Sequence, residues 1–221
     1  MLVSTEKAVR PTNVMGASKR VCKLIMQAMA QNGCRMTAVR FGDVVGSSGS
    51  VIPLFRDQIR MGGPVTVTHP EITRYFITIF EAAQLILQAG SLGEGGELFI
   101  LEMGTPVKIA DMARDLIRLS GKEPDRDVKI EFTGLRPGEK LYEELITQGE
   151  GIVKTEHEKI HVIHSNGLLG AHGTRENFTA WLMNHIADLY HLAEAQDGCD
   201  IRSRLKTIVP EYTPGDTDCI F

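Results

Sequence analysis

Glu6 and Lys7 stand side by side behind Ser4 and Thr5, where the apolar run Met1-Leu2-Val3 gives out. A carboxyl beside an amine at a strand end can act as general acid next to general base; the plain alternative is a solvated ion pair. Further along, Met15 and Lys19 are four residues apart in a predicted helix, so they share a face and point together toward that strand end. A lysine there can hold hydroxyl oxygens, whereas a methionine has no proton to exchange. Arg74 and Arg136 fall at junctions beside predicted strands, and Pro137-Gly138 fixes the turn that presents the second. A planar guanidinium grips phosphate oxygens in pairs, so the two are candidate diphosphate clamps, with ordinary salt bridges as the alternative. Gly46-Ser47-Ser48-Gly49-Ser50 leads into a helix opening at Val51, whose N-terminus favours an anion; it reads equally as a connector. Asp43, just ahead, would repel a diphosphate unless paired or protonated. Val65, Thr66 and Val67 either offer backbone groups to a pyrimidine base or belong to a core strand.

Positioning these residues requires a strand ending at Thr5 and a helix from about Val14 to Gln31, stopped by Asn32-Gly33. Met36 to Val45 reads as one buried strand, Val51 to Met61 as a helix, and Pro64 to Thr68 and Ile72 to Ile77 as strands. Glu81 to Ala89 and Ile109 to Leu119 carry helical apolar stripes; Leu98 to Leu101 and Val128 to Phe132 read as strands and Leu141 to Ile146 as a helix. Beyond about Gly149, Lys154 to Ile163 is strand-like and Gly167 to Gly173 loop-like. Thr174 then opens a long helix carrying Phe178, Trp181, Leu182, Ile186, Leu189 and Leu192, in a stretch expected to be peripheral. Strands alternating with helices predict an α/β fold with a parallel sheet.

The 221 residues, 43% hydrophobic and 24% charged, suffice for one or two globular domains. A net charge of −4 without blocks of like charge argues against nucleic acid or an anionic membrane surface as partner. Cys22, Cys34, Cys199 and Cys219 form no C-x-x-C pair and read as reduced thiols, and no apolar run is long enough to span a bilayer. His157, His161 and His164 near a strand lack ligand-like spacing, so no metal is assigned.

The string from Ser4 through Arg20, with Lys7, Met15 and Lys19 in register, resembles the extended short-chain dehydrogenase/reductase family. Within it the chain looks like the polysaccharide-biosynthesis UDP-N-acetylhexosamine 4,6-dehydratases, a branch whose large members carry Met where the family has its Tyr of Tyr-x-x-x-Lys. Arg40-Phe41-Gly42-Asp43 through Phe55, His69 through Phe76, and Gly134-Leu135-Arg136-Pro137-Gly138-Glu139 through Leu145 continue the likeness in family order, over roughly residues 1 to 150. The resemblance implies hydride loss from sugar C4 to NAD or NADP, elimination of water across C5 and C6, and hydride return to C6. It further implies Lys7 as the C5 base, Glu6 as the acid on the C6 hydroxyl, Thr5 on the C4 oxygen, and Ser4 and Lys19 toward the cofactor, with Lys19 on its ribose. Asp43, Ser50, Val51, Arg74 and Arg136 would contact the UDP-sugar, all around one sugar-sized hollow. Two positions depart from the branch: Glu6 where Asp is usual, one methylene longer, and Asp43 where Asn is usual. A displacement near 1 Å costs roughly a hundredfold in rate.

The resulting expectation is an incomplete Rossmann-like parallel sheet, with residues 1–50 the later part of the dinucleotide domain, 51–150 a smaller α/β substrate-binding portion with strands returning to the Rossmann sheet, and 151–221 a helical C-terminal extension. No dinucleotide-type glycine turn is recognised, and Gly93, Gly95 and Gly96 do not fit one. The chain is therefore expected to start after the cofactor-binding strands and any membrane segment, and by itself neither to bind NAD(P) well nor to turn over. The intact protein is expected to be a cytoplasmic homo-oligomer, tethered to the inner membrane if such a segment precedes it. A C4 epimerase or reductase and a non-catalytic interaction module are the competing classes.

Overall fold

The computed structural model describes residues 1–30, 35–146, 151–164 and 172–215. They fall into two compact units, the first formed by Met1–Phe41, Gln84–Glu102 and Glu144–Phe221, the second by Gly42–Ala83 and Met103–Glu143.

The first unit is built on a five-stranded sheet. β1 (Leu2–Thr5) pairs in parallel with β2 (Ala38–Phe41), and β2 in parallel with β7 (Leu98–Leu101). The hairpin β10 (Gly151–Lys154) and β11 (Ile160–His164) continues the sheet antiparallel, giving the order β1-β2-β7-β11-β10. All four residues of β2 and of β7 are buried, because central strands are covered on both faces; β7 reads as an unbroken apolar run, while β2 admits the buried Arg40. The predicted strand from Lys154 to Ile163 is thus the turn and second arm of a hairpin, its first arm beginning earlier.

α1 (Val14–Met29) starts where Asn13 accepts a hydrogen bond from the Gly16 N–H, and it lays Ala17, Val21, Leu24 and Ala28 into one core. The other side of that core comes from the C-terminal stretch: Phe178 and Leu182 of α5 (Arg175–Glu194), Leu205 and Ile208 of α6 (Gly198–Ile208), then Val209 and Tyr212. Thr174 caps α5 through Asn177 N–H, as its sequence predicts, and Asp197 caps α6 through Asp200 N–H. Far from peripheral, these helices bury the apolar face of α1.

In the second unit β3 (Asp43–Val44) and β6 (Phe76–Ile77) are parallel, β4 (Val65–Val67) and β9 (Ile130–Phe132) are parallel, and β5 (Thr73–Arg74) runs antiparallel to β8 (Val107–Lys108). α2 (Val51–Arg60) and α4 (Ile109–Leu119) supply Phe55, Ile59, Ile109, Ala113 and Ile117 to a core around Val65, Val67 and Val128. α3 (Ile79–Leu92) begins in this unit and ends in the first.

Two expectations need correction. Met36 to Val45 is not one strand: it breaks at Gly42, where an added Cβ would lie 2.7 Å from the Tyr75 carbonyl oxygen, and resumes as β3 on a different partner. Leu141 to Ile146 is not helical. Leu141 O accepts from Thr73 N–H and Leu145 O from Arg40 Nη1 at 2.8 Å, so long-range partners take carbonyls that a helix would use internally.

Candidate active site

β1 delivers Thr5 to the end of the sheet, opposite Phe41, and the chain turns at once into a single 3-10 turn, Glu6–Ala8. Thr5 closes that turn: its Oγ1 accepts from Lys7 N–H at 3.3 Å and donates to Glu6 Oε2 at 2.7 Å. Lys7 Nζ donates to the other carboxyl oxygen, Glu6 Oε1, at 2.5 Å. Glu6 is 1% exposed, while the Lys7 side chain is 24% exposed. Burying a carboxylate is costly unless its oxygens are paired; both oxygens of Glu6 are, each to an adjacent residue. The pair is therefore no solvated surface contact, for one partner is sealed and the other reaches water.

α1 brings its first turn hard against this one. An added Cβ at Gly16 would stand 2.2 Å from Lys7 O and 3.0 Å from Pro11 Cβ. Met15, 47% exposed, and half-buried Lys19 follow one turn apart on α1, and Ser4 is buried on β1 opposite Arg40. Arg10, in left-handed backbone conformation, donates Nε and Nη2 to the two carboxyl oxygens of Glu144. Both residues lie in motif strings, yet nothing in the sequence signals their pairing across such a separation.

The second unit holds the remaining candidates. Half-buried Asp43 pairs with Phe76 in β3, its N–H donating to Tyr75 O at 2.8 Å. Ser50 is the N-cap of α2, but its hydroxyl donates back to Ser47 O at 2.7 Å rather than capping the helix that Val51 opens. Arg74 is 7% exposed; Nη1 donates to Thr73 O at 2.7 Å and Nη2 to Glu139 Oε1 at 3.3 Å, with Glu143 at 4.0 Å. Arg136 is exposed, and its backbone N–H donates to Glu139 Oε2 at 3.1 Å. Glu139 therefore braces both arginine positions and also accepts from Thr68 Oγ1. Sequence reasoning passed it over, although it stands in the Gly134 to Leu145 string. In the core strand β4, Val65 and Val67 are buried and the Thr66 backbone N–H is taken by Gln58.

One glycine pattern needs correction. The spacing G-x-x-G-x-x-G does occur, at Gly90, Gly93 and Gly96 and at Gly167, Gly170 and Gly173. The first runs from the last turn of α3 toward β7, a helix-to-strand order opposite to that of a dinucleotide turn, and Gly93 serves close packing against Thr37. The second falls mostly outside the described residues. Among the described residues no three His, Cys, Asp or Glu gather as a metal-binding group, and no helix is long and apolar enough to cross a membrane.

A family model described as polysaccharide biosynthesis protein matches residues 1–165. The capsular polysaccharide biosynthesis protein CapD of Staphylococcus aureus is 58% identical over 163 residues, which are 73% of this chain and 27% of that protein. The probable polysaccharide biosynthesis protein EpsC of Bacillus subtilis (strain 168) is 48% identical over 208 residues, 93% of this chain and 32% of its own length. The chain thus spans about a third or less of these curated relatives. Among solved structures, Pen from Bacillus thuringiensis superposes with a TM-score of 0.68 at 36% identity, covering 74% of this chain and 52% of that one. The dTDP-glucose 4,6-dehydratase DesIV from Streptomyces venezuelae, solved with NAD and TYD bound, gives 0.56 at 19% identity, covering 63% and 48%, a likeness of fold alone. Together with the parallel strands β1, β2 and β7, it makes the fold a Rossmann-like α/β one.

Proposed function

Because this chain belongs to the polysaccharide biosynthesis protein family, we propose that it carries the acid–base centre and the sugar-nucleotide contacts of a UDP-N-acetylhexosamine 4,6-dehydratase that uses NAD or NADP. The observation that carries this reading is the Thr5–Glu6–Lys7 cluster: a sealed carboxyl in direct hydrogen bond with a solvent-reachable amine at the end of a parallel strand. Elimination across C5 and C6 needs such a pair. Lys7 Nζ takes the C5 proton, which the neighbouring C4 ketone makes acidic, and Glu6 protonates the departing C6 hydroxyl. A proton moved along the Lys7–Glu6 bond turns ammonium and carboxylate into amine and carboxylic acid, so one transfer arms both groups.

The residues present suit the nicotinamide half of the cofactor: Gly16 lets α1 pack onto the Lys7 carbonyl, which seats half-buried Lys19 one turn beyond Met15 to hold the ribose, with Ser4 below it on β1. What the cofactor supplies when bound is a place for the hydride taken from C4 and given back at C6. Arg136, exposed on the Pro137-Gly138 turn, grips the diphosphate, and Arg74 does so from within its carboxylate cradle. Ser50, Val51 and Asp43 border the sugar nucleotide. Residues 1–50 are assigned to the dinucleotide domain, 51–150 to substrate binding with strands returning to the sheet of that domain, and 151–221 to a C-terminal extension; the intact protein is assigned to the cytoplasmic side as a homo-oligomer.

Calorimetric titration of the chain with UDP and UDP-N-acetylglucosamine tests the substrate half, with saturable binding of both expected. No binding of either would remove the dehydratase in favour of an interaction module. A product that keeps its C6 oxygen would instead indicate a C4 epimerase.

A further inference from the structure

We propose that residues 209–213, which follow α6, form a strap that positions the acid–base centre by holding the loop between the Lys7 turn and α1. The proposal rests on the dehydratase reading and adds two positioning residues, Glu211 and Thr213, that act through this loop and helix rather than on the sugar.

Residues 9–13 join the turn that carries Glu6 and Lys7 to the helix that carries Met15 and Lys19. At one end Val9 N–H returns to Glu6 O at 2.9 Å, and at the other Asn13 caps α1. Between them Arg10 is left-handed, a conformation that a residue with a Cβ keeps only where its surroundings enforce it. Remote segments do so. Arg10 is paired with Glu144, and the Pro11 carbonyl accepts from Thr213 N–H at 2.9 Å. Proline has no N–H, so that carbonyl is the one backbone group by which Pro11 can be held. Pro11 is buried, and its Cβ lies 3.0 Å from the point where a Cβ on Gly16 would stand, so its position governs where α1 meets the turn.

The strap is itself anchored. Tyr212 is fully buried in the cluster of Ala17, Val21 and Leu24, and its N–H returns to Val209 O at 2.9 Å. Lys206 Nζ donates to Pro210 O at 2.8 Å and to Tyr212 O. Glu211 accepts from Arg20 Nε at 2.7 Å, both side chains half-buried, so the bond is charge-assisted and partly shielded from water. Arg20 follows Lys19 directly; fixing it fixes the rotation of α1 at the turn from which Lys19 must face the cofactor. The strap thus grips the loop at Pro11, the helix at Arg20 and the core through Tyr212. Precision is what such a grip supplies, because a displacement near 1 Å costs roughly a hundredfold in rate.

Amide hydrogen exchange tests the hold without reference to activity. Glu211→Ala removes the partner of Arg20, and Thr213→Pro removes the N–H that Pro11 O accepts. In each, the amides of Lys7, Val9 and Gly16 are expected to exchange about tenfold faster, the effect of roughly one lost hydrogen bond, while those of β7 keep their rates. Glu211→Gln, whose amide oxygen still accepts from Arg20, is expected to stay within about twofold of the parent. Catalysis gives the second readout. Supplied with a UDP-4-ketohexosamine in deuterated water and without cofactor, the unmodified chain is expected to exchange the C5 hydrogen. Glu211→Ala and Thr213→Pro are expected to lower kcat for that exchange about tenfold and to leave KM within about twofold, with kcat restored in Glu211→Gln. Unchanged amide rates overturn the strap. Faster amides with unaltered kcat make it a structural tie only, and a raised KM at full kcat makes it a substrate contact; either result overturns the positioning role. Should Thr213→Pro fail to fold, the two Glu211 variants decide. Absence of C5 exchange in the unmodified chain overturns the dehydratase reading, while the amide rates still decide the strap.

Discussion

The carbonyl oxygen of Lys7 lies 2.2 Å from the point where a Cβ at residue 16 would sit, with Pro11 Cβ at 3.0 Å on the other side. Two consecutive backbone segments are in contact there: the turn that carries Glu6 and Lys7, and the first turn of the helix that carries Met15 and Lys19. Spacing along the chain places these residues near one another, and the missing side chain at Gly16 sets how near.

Gly16→Ala is therefore expected to push α1 away from the turn. Alanine is the better helix former, so in open space the exchange would stabilise; here the overlap is with backbone, which cannot rotate aside. Urea unfolding should show a loss of about 1–3 kcal/mol, the range for overpacking. Ser18→Ala, at an exposed position on the same helix, should stay within about 0.5 kcal/mol.

Leu182→Ala tests the role of the C-terminal helices. Leu182 is fully buried beside Phe178 in the cluster that covers Ala17, Val21 and Leu24 of α1. Truncating such a side chain typically costs about 2–5 kcal/mol. The loss should appear as a lower midpoint in urea unfolding. A change below about 0.5 kcal/mol would mean that α5 does not support α1.

Local pattern revealed a good deal of this molecule. β7 and α4 have the bounds their apolar runs and stripe predict, and the Thr174 cap starts α5 as expected. The Glu6–Lys7 pair and the shared face of Met15 and Lys19 follow from adjacency and helix periodicity. Features set by distant partners were not legible. Gly42 ends a strand because of Tyr75, Leu141 stays out of a helix because Thr73 claims its carbonyl, and Arg10 pairs with Glu144 from the far end of the motif region. The amphipathic face of α5 was visible, but an apolar stripe does not name the surface that covers it.

Acid sensitivity should trace in part to His185. Burial, then the nearby Arg204 guanidinium, hold its pKa below the ordinary 6.5, although Asp188 pulls the other way. Arg204 Nη1 approaches His185 Nδ1 at 2.8 Å, which suits a neutral ring accepting from arginine. The folded pKa being the lower one, both states are neutral well above 6.5 and the group makes stability independent of pH there. As pH falls through 6.5 the unfolded chain protonates first, so stability declines. His185→Gln keeps an acceptor but does not titrate; its urea midpoint should fall less than the parent's between about pH 7.5 and about pH 5.5. Equal declines would assign the acid limb to other groups.

The two arginines should separate into different kinds of loss. Arg136 is exposed, and its contact with Glu139 is made by the backbone N–H, so removing its side chain leaves that turn intact. Arg136→Met is expected to weaken UDP binding about tenfold, ~1.4 kcal/mol, without moving the unfolding midpoint. Arg74 is buried, and its guanidinium supports the Thr73 carbonyl and the Glu139 carboxylate. Arg74→Met leaves those acceptors short of a donor, at a cost of about 1–3 kcal/mol, and should lower both the midpoint and UDP affinity. Glu139→Gln provides the cross-check, since its amide oxygen still accepts from Arg136 N–H and its amide nitrogen can donate to the Thr68 hydroxyl, while the charge facing Arg74 is removed. If Arg74 bound phosphate unaided by Glu139, that variant would hold UDP more tightly, a carboxylate competitor having gone. If Glu139 positions Arg74, affinity should fall by about threefold to tenfold, and a rise on titration would reject that role.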